Sequence, residues 1–253
     1  MLGRAGQSLP GFLIDWSASL SAQLILFDVD GTLIATNYTG RWVMSHALRE
    51  VFGTDGALDS ISFAGKTDLG IITSVMAGAG LSAEEISLGL PSVYESMTRH
   101  GGVRFFGDNL VPCSGVTTLL ETLRTMPRIT LGLQTGNVRE TALLKLTAAG
   151  LDPSWFTVNA FGSDSSAREG LLPVAWRRAM KLTDTSFSGH NTIVVGDTPG
   201  DIKSARANGA RSLGVASGFC SYSELAEARP DHLLSDLTDT DFVISILTSS
   251  DYP

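Results

Sequence analysis

Two carboxylates stand two residues apart in Asp28-Val29-Asp30-Gly31-Thr32, directly after the apolar run Leu24-Ile25-Leu26-Phe27. A short apolar run closed by turn-forming residues is the pattern of a strand buried on both faces of a parallel sheet. Ligands of open parallel sheets bind beyond the carboxyl ends of the strands. Asp28 and Asp30 are therefore expected in a crevice there, with Val29 between them facing elsewhere. Two acids held close cannot both ionise without a cation or a shared proton. One can then attack as a nucleophile or ligate a metal while its neighbour moves protons. Alone, the string is also an ordinary polar turn. A second acidic turn far downstream argues for chemistry.

That second turn is Gly196-Asp197-Thr198-Pro199-Gly200-Asp201, after the β-branched run Thr192-Ile193-Val194-Val195. Asp197 thus also lies at the carboxyl end of a strand. Asp201 follows near the start of a helix, where Pro199 suits the first turn and Gly209 suits the C-cap. If the two strands are neighbours, three or four carboxylates share one crevice. A hard divalent cation would neutralise them, and Mg²⁺ typically takes one or two carboxylates, waters and a phosphate oxygen. Between these turns, Ile129 to Gln134 reads as a strand, followed by Thr135-Gly136-Asn137 and a helix from about Val138 to Ala149, closed by Gly150. Backbone N–H groups at such a helix start make an anion site.

In this order and spacing, the three segments resemble the haloacid dehalogenase superfamily over about Leu24 to Leu237. Phe63-Ala64-Gly65-Lys66-Thr67-Asp68 and Val111-Pro112-Cys113-Ser114-Gly115-Val116 make the chain similar to its phosphoglycolate phosphatase-like branch with a helical cap. The resemblance implies an α/β fold: a doubly wound parallel sheet with a small all-helical cap inserted after the first strand. It implies a Mg²⁺-dependent phosphatase of a small phosphorylated metabolite. Asp28 would attack phosphorus and form an aspartyl-phosphate. Asp30 would protonate the leaving oxygen and then activate water. The implied metal set is Asp28, Asp30 through its carbonyl, Asp197, and Asp201 as a ligand or behind the ligands. Thr135 and a cation would hold the phosphoryl oxygens, and Thr32, Gly136, Asn137 and Lys66 would contact substrate.

The family's Lys-Pro element upstream of the last acidic turn is missing, because no Lys-Pro dipeptide occurs between Asn137 and Asp197. The candidates for its cation are Arg168 and Lys181. Arg168 is preferred because it follows the expected strand near 156–161, on the side where Asp28, Thr135 and Asp197 gather. Lys181 falls near the far end of the next helix, about 15 Å along at 1.5 Å per residue. Arg also keeps its charge beside a phosphate and offers two donors.

Residues 36–107 show helical spacing without convincing strands, which predicts a cap domain there and a catalytic core over 1–35 and 108–253. Within the cap, Ser82-Ala83-Glu84-Glu85 is a capped helix start, and the helix is expected to reach about His100 with an interruption at Gly89-Leu90-Pro91. After Pro112, helices near 115–125, 138–149, 171–181 and 200–208 alternate with strands at 129–134, 156–161, 192–196 and 212–216. That alternation argues for a parallel sheet covered on both faces. His232-Leu233-Leu234 reads as a weak edge strand, and residues 1–22 as an irregular extension. Gly65-Lys66-Thr67 imitates the tail of a phosphate-binding P-loop, but Ser60 stands where its first Gly is required and no buried strand precedes it. Lys66 fits better as a cap residue reaching substrate. Asn37-Tyr38-Thr39 matches a glycosylation acceptor.

The chain has 253 residues with 43% hydrophobic and 17% charged content and a net charge of −8, which fits a globular protein with a sizeable core. The negative balance argues against non-specific nucleic-acid binding. Arg41, Lys66, Arg104 and Arg168 could form a local basic patch for an anionic substrate. Two cysteines far apart argue for a reducing, cytoplasmic setting, and no apolar run is long enough for a transmembrane helix. Four histidines show no metal-ligand spacing. A monomer or homodimer is expected. The competing functions are a phosphosugar mutase of the beta-phosphoglucomutase type, a dehalogenase or phosphonatase, and a non-catalytic binding module on the same fold. Asp30 disfavours the dehalogenase and phosphonatase, where it would have no acid–base task.

Overall fold

The computed structural model describes residues 22–35 and 39–249. The expected extension over 1–22 lies outside the described residues except for Ala22, and the Asn37-Tyr38 acceptor lies outside them as well. Six strands form one sheet: β1 (Gln23–Phe27), β2 (Ile129–Gln134), β3 (Val158–Ala160), β4 (Thr192–Gly196), β5 (Arg211–Val215) and β6 (His232–Leu234). Every neighbouring pair is parallel, in the order β3-β2-β1-β4-β5-β6. The chain grows outward from β1 through β2 and β3, then returns to the other side of β1 for β4. The reversal between β1 and β4 is the switch point at which an open parallel sheet leaves a crevice.

Alternation of side chains along each strand feeds two cores. Ile25, Phe27, Leu131, Leu133, Ile193, Val195, Leu213 and Val215 face one layer, built with α4 (Val116–Leu123), α5 (Arg139–Ala148) and α9 (Thr240–Thr248). Leu24, Leu26, Val158, Ala160 and Val194 face the other, covered by α6 (Leu171–Thr183) and α7 (Pro199–Ala207). A short helix, α8 (Tyr222–Glu227), precedes the edge strand β6.

Between β1 and α4 the chain is helical: α1 (Thr39–Phe52), α2 (Asp68–Gly78) and α3 (Ala83–Gly107). These helices bury a core of their own, including Met44, Leu48, Ile72, Met76, Val93 and Phe105, into which α5 inserts Val138. Ser82 opens α3 with a reciprocal capping box to Glu85. The interruption expected at Gly89-Leu90-Pro91 is absent, because α3 runs unbroken for 25 residues through Pro91 and ends at Gly107 rather than near His100. Apolar burial on both sides of the proline, from Ile86 to Val93, Met97 and Phe105, outweighs the roughly 3 kcal/mol that an internal proline costs. Gly89 serves a packing purpose instead: a Cβ there would lie 2.4 Å from the Phe52 ring.

Candidate active site

The turn after β1 is fixed by backbone hydrogen bonds, with Leu33 N–H and Ile34 N–H both donating to the Val29 carbonyl. Val29 is buried in the core, so the carboxylates on either side of it point away from that core. Gly31 sits at φ +82°, and a Cβ there would fall 2.2 Å from Asp197 Oδ2. Only glycine tolerates both the backbone conformation and the approach. Gly218 closes on the same oxygen from the other side, with a built Cβ at 2.0 Å.

Asp28, Asp197 and Asp201 gather here, all buried, with ligand oxygens within 4.8 Å of one another. Asp28 is brought to β4 by its N–H, which donates to the Val195 carbonyl at 2.9 Å. Asp197 accepts the Phe219 N–H at 2.7 Å and the Thr32 hydroxyl at 3.3 Å. Asp201 Oδ2 accepts the Thr198 N–H and hydroxyl at 3.1 and 2.6 Å, capping α7. Its Oδ1 lies against Arg168 Nη2 at 2.5 Å without a well-formed hydrogen bond. The same Nη2 is 3.0 Å from Asp28 Oδ1. Burial raises Asp28 to about 6, opposed by Arg168 and reinforced by Asp201 and Asp30. Burial, then Asp28 and Asp201, drive Asp197 well above the usual carboxylate range. Burial alone would lower Arg168, but Asp201 and Asp28 raise it, so its charge is secure. Three buried acids against one guanidinium suit a divalent cation.

Asp30 has different partners. Lys145 Nζ lies 2.6 Å from its Oδ2, and Asn137 Nδ2 donates to the same oxygen at 2.7 Å. Lys145 also donates to Asn137 Oδ1 at 2.7 Å. From α2, Asp68 Oδ2 accepts the Val138 N–H at 2.8 Å, and its own N–H donates to the Gly136 carbonyl at 2.7 Å. Burial raises Asp68 to about 6, against the pull of the Val138 N–H and Lys145. A cavity of about 370 Å³ opens above these groups. Asp28, Asp30, Arg168 and Lys145 line its floor, while Phe63, Lys66, Ile71 and Phe105 come from the helical segment.

Residues 22–209 match the model of the haloacid dehalogenase-like hydrolases. The chain belongs to this family. Pyrophosphatase PpaX of Bacillus pumilus is 25% identical over 218 residues, covering 85% of this chain and 93% of that protein. A hydrolase from Pseudomonas syringae superposes with a TM-score of 0.66 at 21% identity, covering 90% of this chain and 100% of the other. A predicted phosphoglycolate phosphatase from Haemophilus somnus does so with a TM-score of 0.60 at 20% identity, covering 88% and 97%. At these identities the solved structures show the fold.

Within this haloacid dehalogenase-like hydrolase the expected site residues take distinct places. Asp28, Asp30, Gly136, Asn137, Lys66 and Arg168 line the cavity, and Asp197 and Asp201 lie buried beside Asp28. Two hydroxyls expected at the phosphate or substrate are not among the lining residues. Thr32 is turned to Asp197, and Thr135 Oγ1 accepts the Asn137 N–H and side-chain amide at 3.3 and 2.9 Å. Both residues are fully buried, Thr32 beside the acid cluster and Thr135 beneath the Asn137 amide. Gly136 is required by contact: a Cβ would meet the Lys66 carbonyl at 2.0 Å. Lys181 is exposed on the last turn of α6. Arg41, grouped with the basic patch, lines the cavity, with its guanidinium on the Leu58 and Ile61 carbonyls and over the Phe63 ring. Arg104 pairs with Asp108 instead.

Sequence reasoning missed Lys145 and Asp68. Lys145 had one signal. On α5, Thr141, Ala142, Lys145 and Leu146 are the buried positions, so the lysine falls in the inward stripe of an amphipathic helix, where an unpaired charge is costly. Asp68 looks locally like an acid in a first helical turn after a Thr cap, and nothing in that pattern points to a partner 70 residues away.

Proposed function

We propose that the protein is a Mg²⁺-dependent phosphomonoesterase acting on a small phosphorylated metabolite. The observation that carries this reading is the contrast between two neighbouring acids on one cavity floor. Asp28 is pinned by a buried guanidinium among metal-ligand candidates, and Asp30 is held apart from that cluster by an ammonium and an amide. A nucleophile and a proton carrier need such separate surroundings.

Asp28, Asp197 and Asp201 would hold Mg²⁺, which when bound offsets the charge of the carboxylates and of the phosphoryl oxygens. Arg168 orients Asp28 for attack and offers its remaining N–H groups to a phosphoryl oxygen, as preorganised donors do for developing charge. Gly136 and Asn137, at the start of α5, bound the same space. Asp30 protonates the leaving oxygen as Asp28 bonds to phosphorus, then takes a proton from the water that frees Asp28.

Residues 36–107 act in this reading as a cap that excludes water and touches the leaving group. Its footing supports this: Thr67 Oγ1 donates to the Ser166 carbonyl at 3.0 Å, and Asp68 bridges to Gly136 and Val138. Lys66 then stands at the cavity wall as a substrate contact.

The test is phosphate release from a panel of phosphomonoesters and pyrophosphate, with Mg²⁺, with Ca²⁺ and with excess chelator. The reading expects Mg²⁺-dependent release, loss in chelator, and inhibition by Ca²⁺, whose larger ligand number would tie up Asp28. Full activity in chelator contradicts the metal assignment. Isomerised sugar phosphate without net phosphate release points to a mutase instead, and preference for pyrophosphate contradicts the ester class.

A further inference from the structure

We propose that Lys145 is the positioning residue of Asp30 and sets it up as the proton donor to the leaving group, an inference that rests on the phosphatase reading above. Lys145 is buried on α5, its side chain 6% exposed. A buried ammonium is costly unless it is paired. Its pairing leaves the helix altogether. The ammonium reaches Asp30 Oδ2 at 2.6 Å and Asn137 Oδ1 at 2.7 Å, while the Asn137 amide nitrogen returns to Asp30 Oδ2 at 2.7 Å.

These three contacts close a ring with two consequences. Lys145 accepts nothing and can only donate, so the Asn137 carbonyl oxygen must face it and the amide N–H must face Asp30. Both grips also fall on Oδ2, which directs the other oxygen, Oδ1, to exchange a proton with the leaving group. As the Asp28–phosphorus bond forms and the bond to the leaving oxygen breaks, the Asp30 proton passes to that oxygen and Asp30 becomes a carboxylate. Lys145 stabilises that carboxylate as it appears. In the second half, water bonds to phosphorus, the Asp28–phosphorus bond breaks, and the water proton returns to Asp30.

The helical segment completes the enclosure. Gly40 of α1 leaves room for the ammonium, since a Cβ would stand 3.3 Å from Nζ. The Phe105 ring of α3 lies 5.4 Å from Nζ, and Asp68 of α2 is close enough to be influenced by its charge. Lys145 is thereby shielded from solvent, and a charge held away from water acts more strongly on its neighbour.

The experiment uses two esters in parallel: an alkyl phosphate, whose alkoxide leaves poorly without a proton, and 4-nitrophenyl phosphate, whose phenolate leaves without one. Lys145→Met keeps the aliphatic stem and removes the charge. Its kcat on the alkyl ester should fall by about 10²-fold or more, the usual worth of acid–base catalysis. On the aryl ester it should fall by under about tenfold, with KM little changed on both. Lys145→Arg should restore part of the alkyl rate. In an Asp30→Asn background Lys145→Met should cost nothing further. Equal losses on both esters, a change confined to KM, or additive losses in the double variant would overturn the assignment. Should Lys145→Met fail to fold by circular dichroism, Lys145→Gln, which also removes the charge, decides: an alkyl-to-aryl ratio equal to wild type overturns it. A wild-type protein that hydrolyses neither ester overturns the phosphatase reading itself.

Discussion

Replacing Arg168 by Met tests the electrostatic balance of the site. Arg168 is 5% exposed, and one nitrogen serves Asp28 Oδ1 at 3.0 Å and Asp201 Oδ1 at 2.5 Å. Removing one partner of a buried ion pair costs about 3–5 kcal/mol when the other charge stays. Here the carboxylates can take up protons instead. Burial already raises Asp28 to about 6 with the guanidinium in place, and losing Arg168 moves it further up, so it takes up a proton more readily. The cost at pH 7 should therefore sit near the lower end, about 3 kcal/mol. A carboxyl whose folded value is raised gives stability that is present at low pH and lost as pH rises through that value. The deficit of Arg168→Met should accordingly shrink from pH 7 toward pH 5. Turnover should fall by about 10²–10³-fold, the worth of one transition-state donor, because the guanidinium no longer donates to a phosphoryl oxygen or orients Asp28. Lys181→Ala, at an exposed position, should stay within about 0.5 kcal/mol of wild type and keep its activity. Urea unfolding across pH with steady-state kinetics measures all of this. Wild-type turnover in Arg168→Met, or the same loss in Lys181→Ala, would refute the reasoning.

Asp68 and Pro91 give two further expectations. Burial raises Asp68 from 3.8 to about 6, with Val138 N–H and Lys145 lowering it and Asp30 raising it. Its share of stability is thus complete below about pH 4 and lost as pH rises through 6. Asp68→Asn keeps an acceptor for Val138 without titrating, so it should gain on wild type by up to about 3 kcal/mol across that window. A difference flat with pH in urea titrations would contradict this. Pro91 is exposed inside a helix of 25 residues, and Pro91→Ala should raise stability by about 1–3 kcal/mol, whereas a lower thermal midpoint would show that the proline fits α3 without cost.

The sheet was legible because its strands are short apolar runs, two of them followed directly by acids. Leu24 to Phe27 and Thr192 to Val195 announced both their burial and the acids that follow, and the parallel register pairs them directly. Even His232–Leu234, only three residues, lies at the sheet edge as expected. Pro91 misled because local propensity, read alone, does not weigh the apolar residues that α3 buries on either side of it. The same limit hid Lys145 and Asp68. Their partners come from other elements, so spacing along the chain carries no trace of the contact. The hydroxyls of Thr32 and Thr135 bond to Asp197 and to the Asn137 amide, partners set by rotamer and neighbours that a motif does not specify.

The central claim is covalent chemistry at Asp28, and the most direct measurement is mass spectrometry of peptides from protein acid-quenched during turnover of a phosphomonoester with Mg²⁺. The account predicts a phosphoryl group on Asp28 in the wild-type protein, more of it in Asp30→Asn with 4-nitrophenyl phosphate, whose leaving group needs no proton while water is poorly activated, and none in Asp28→Asn. Wild-type turnover by Asp28→Asn, or a phosphoryl group carried by a different residue, would contradict it.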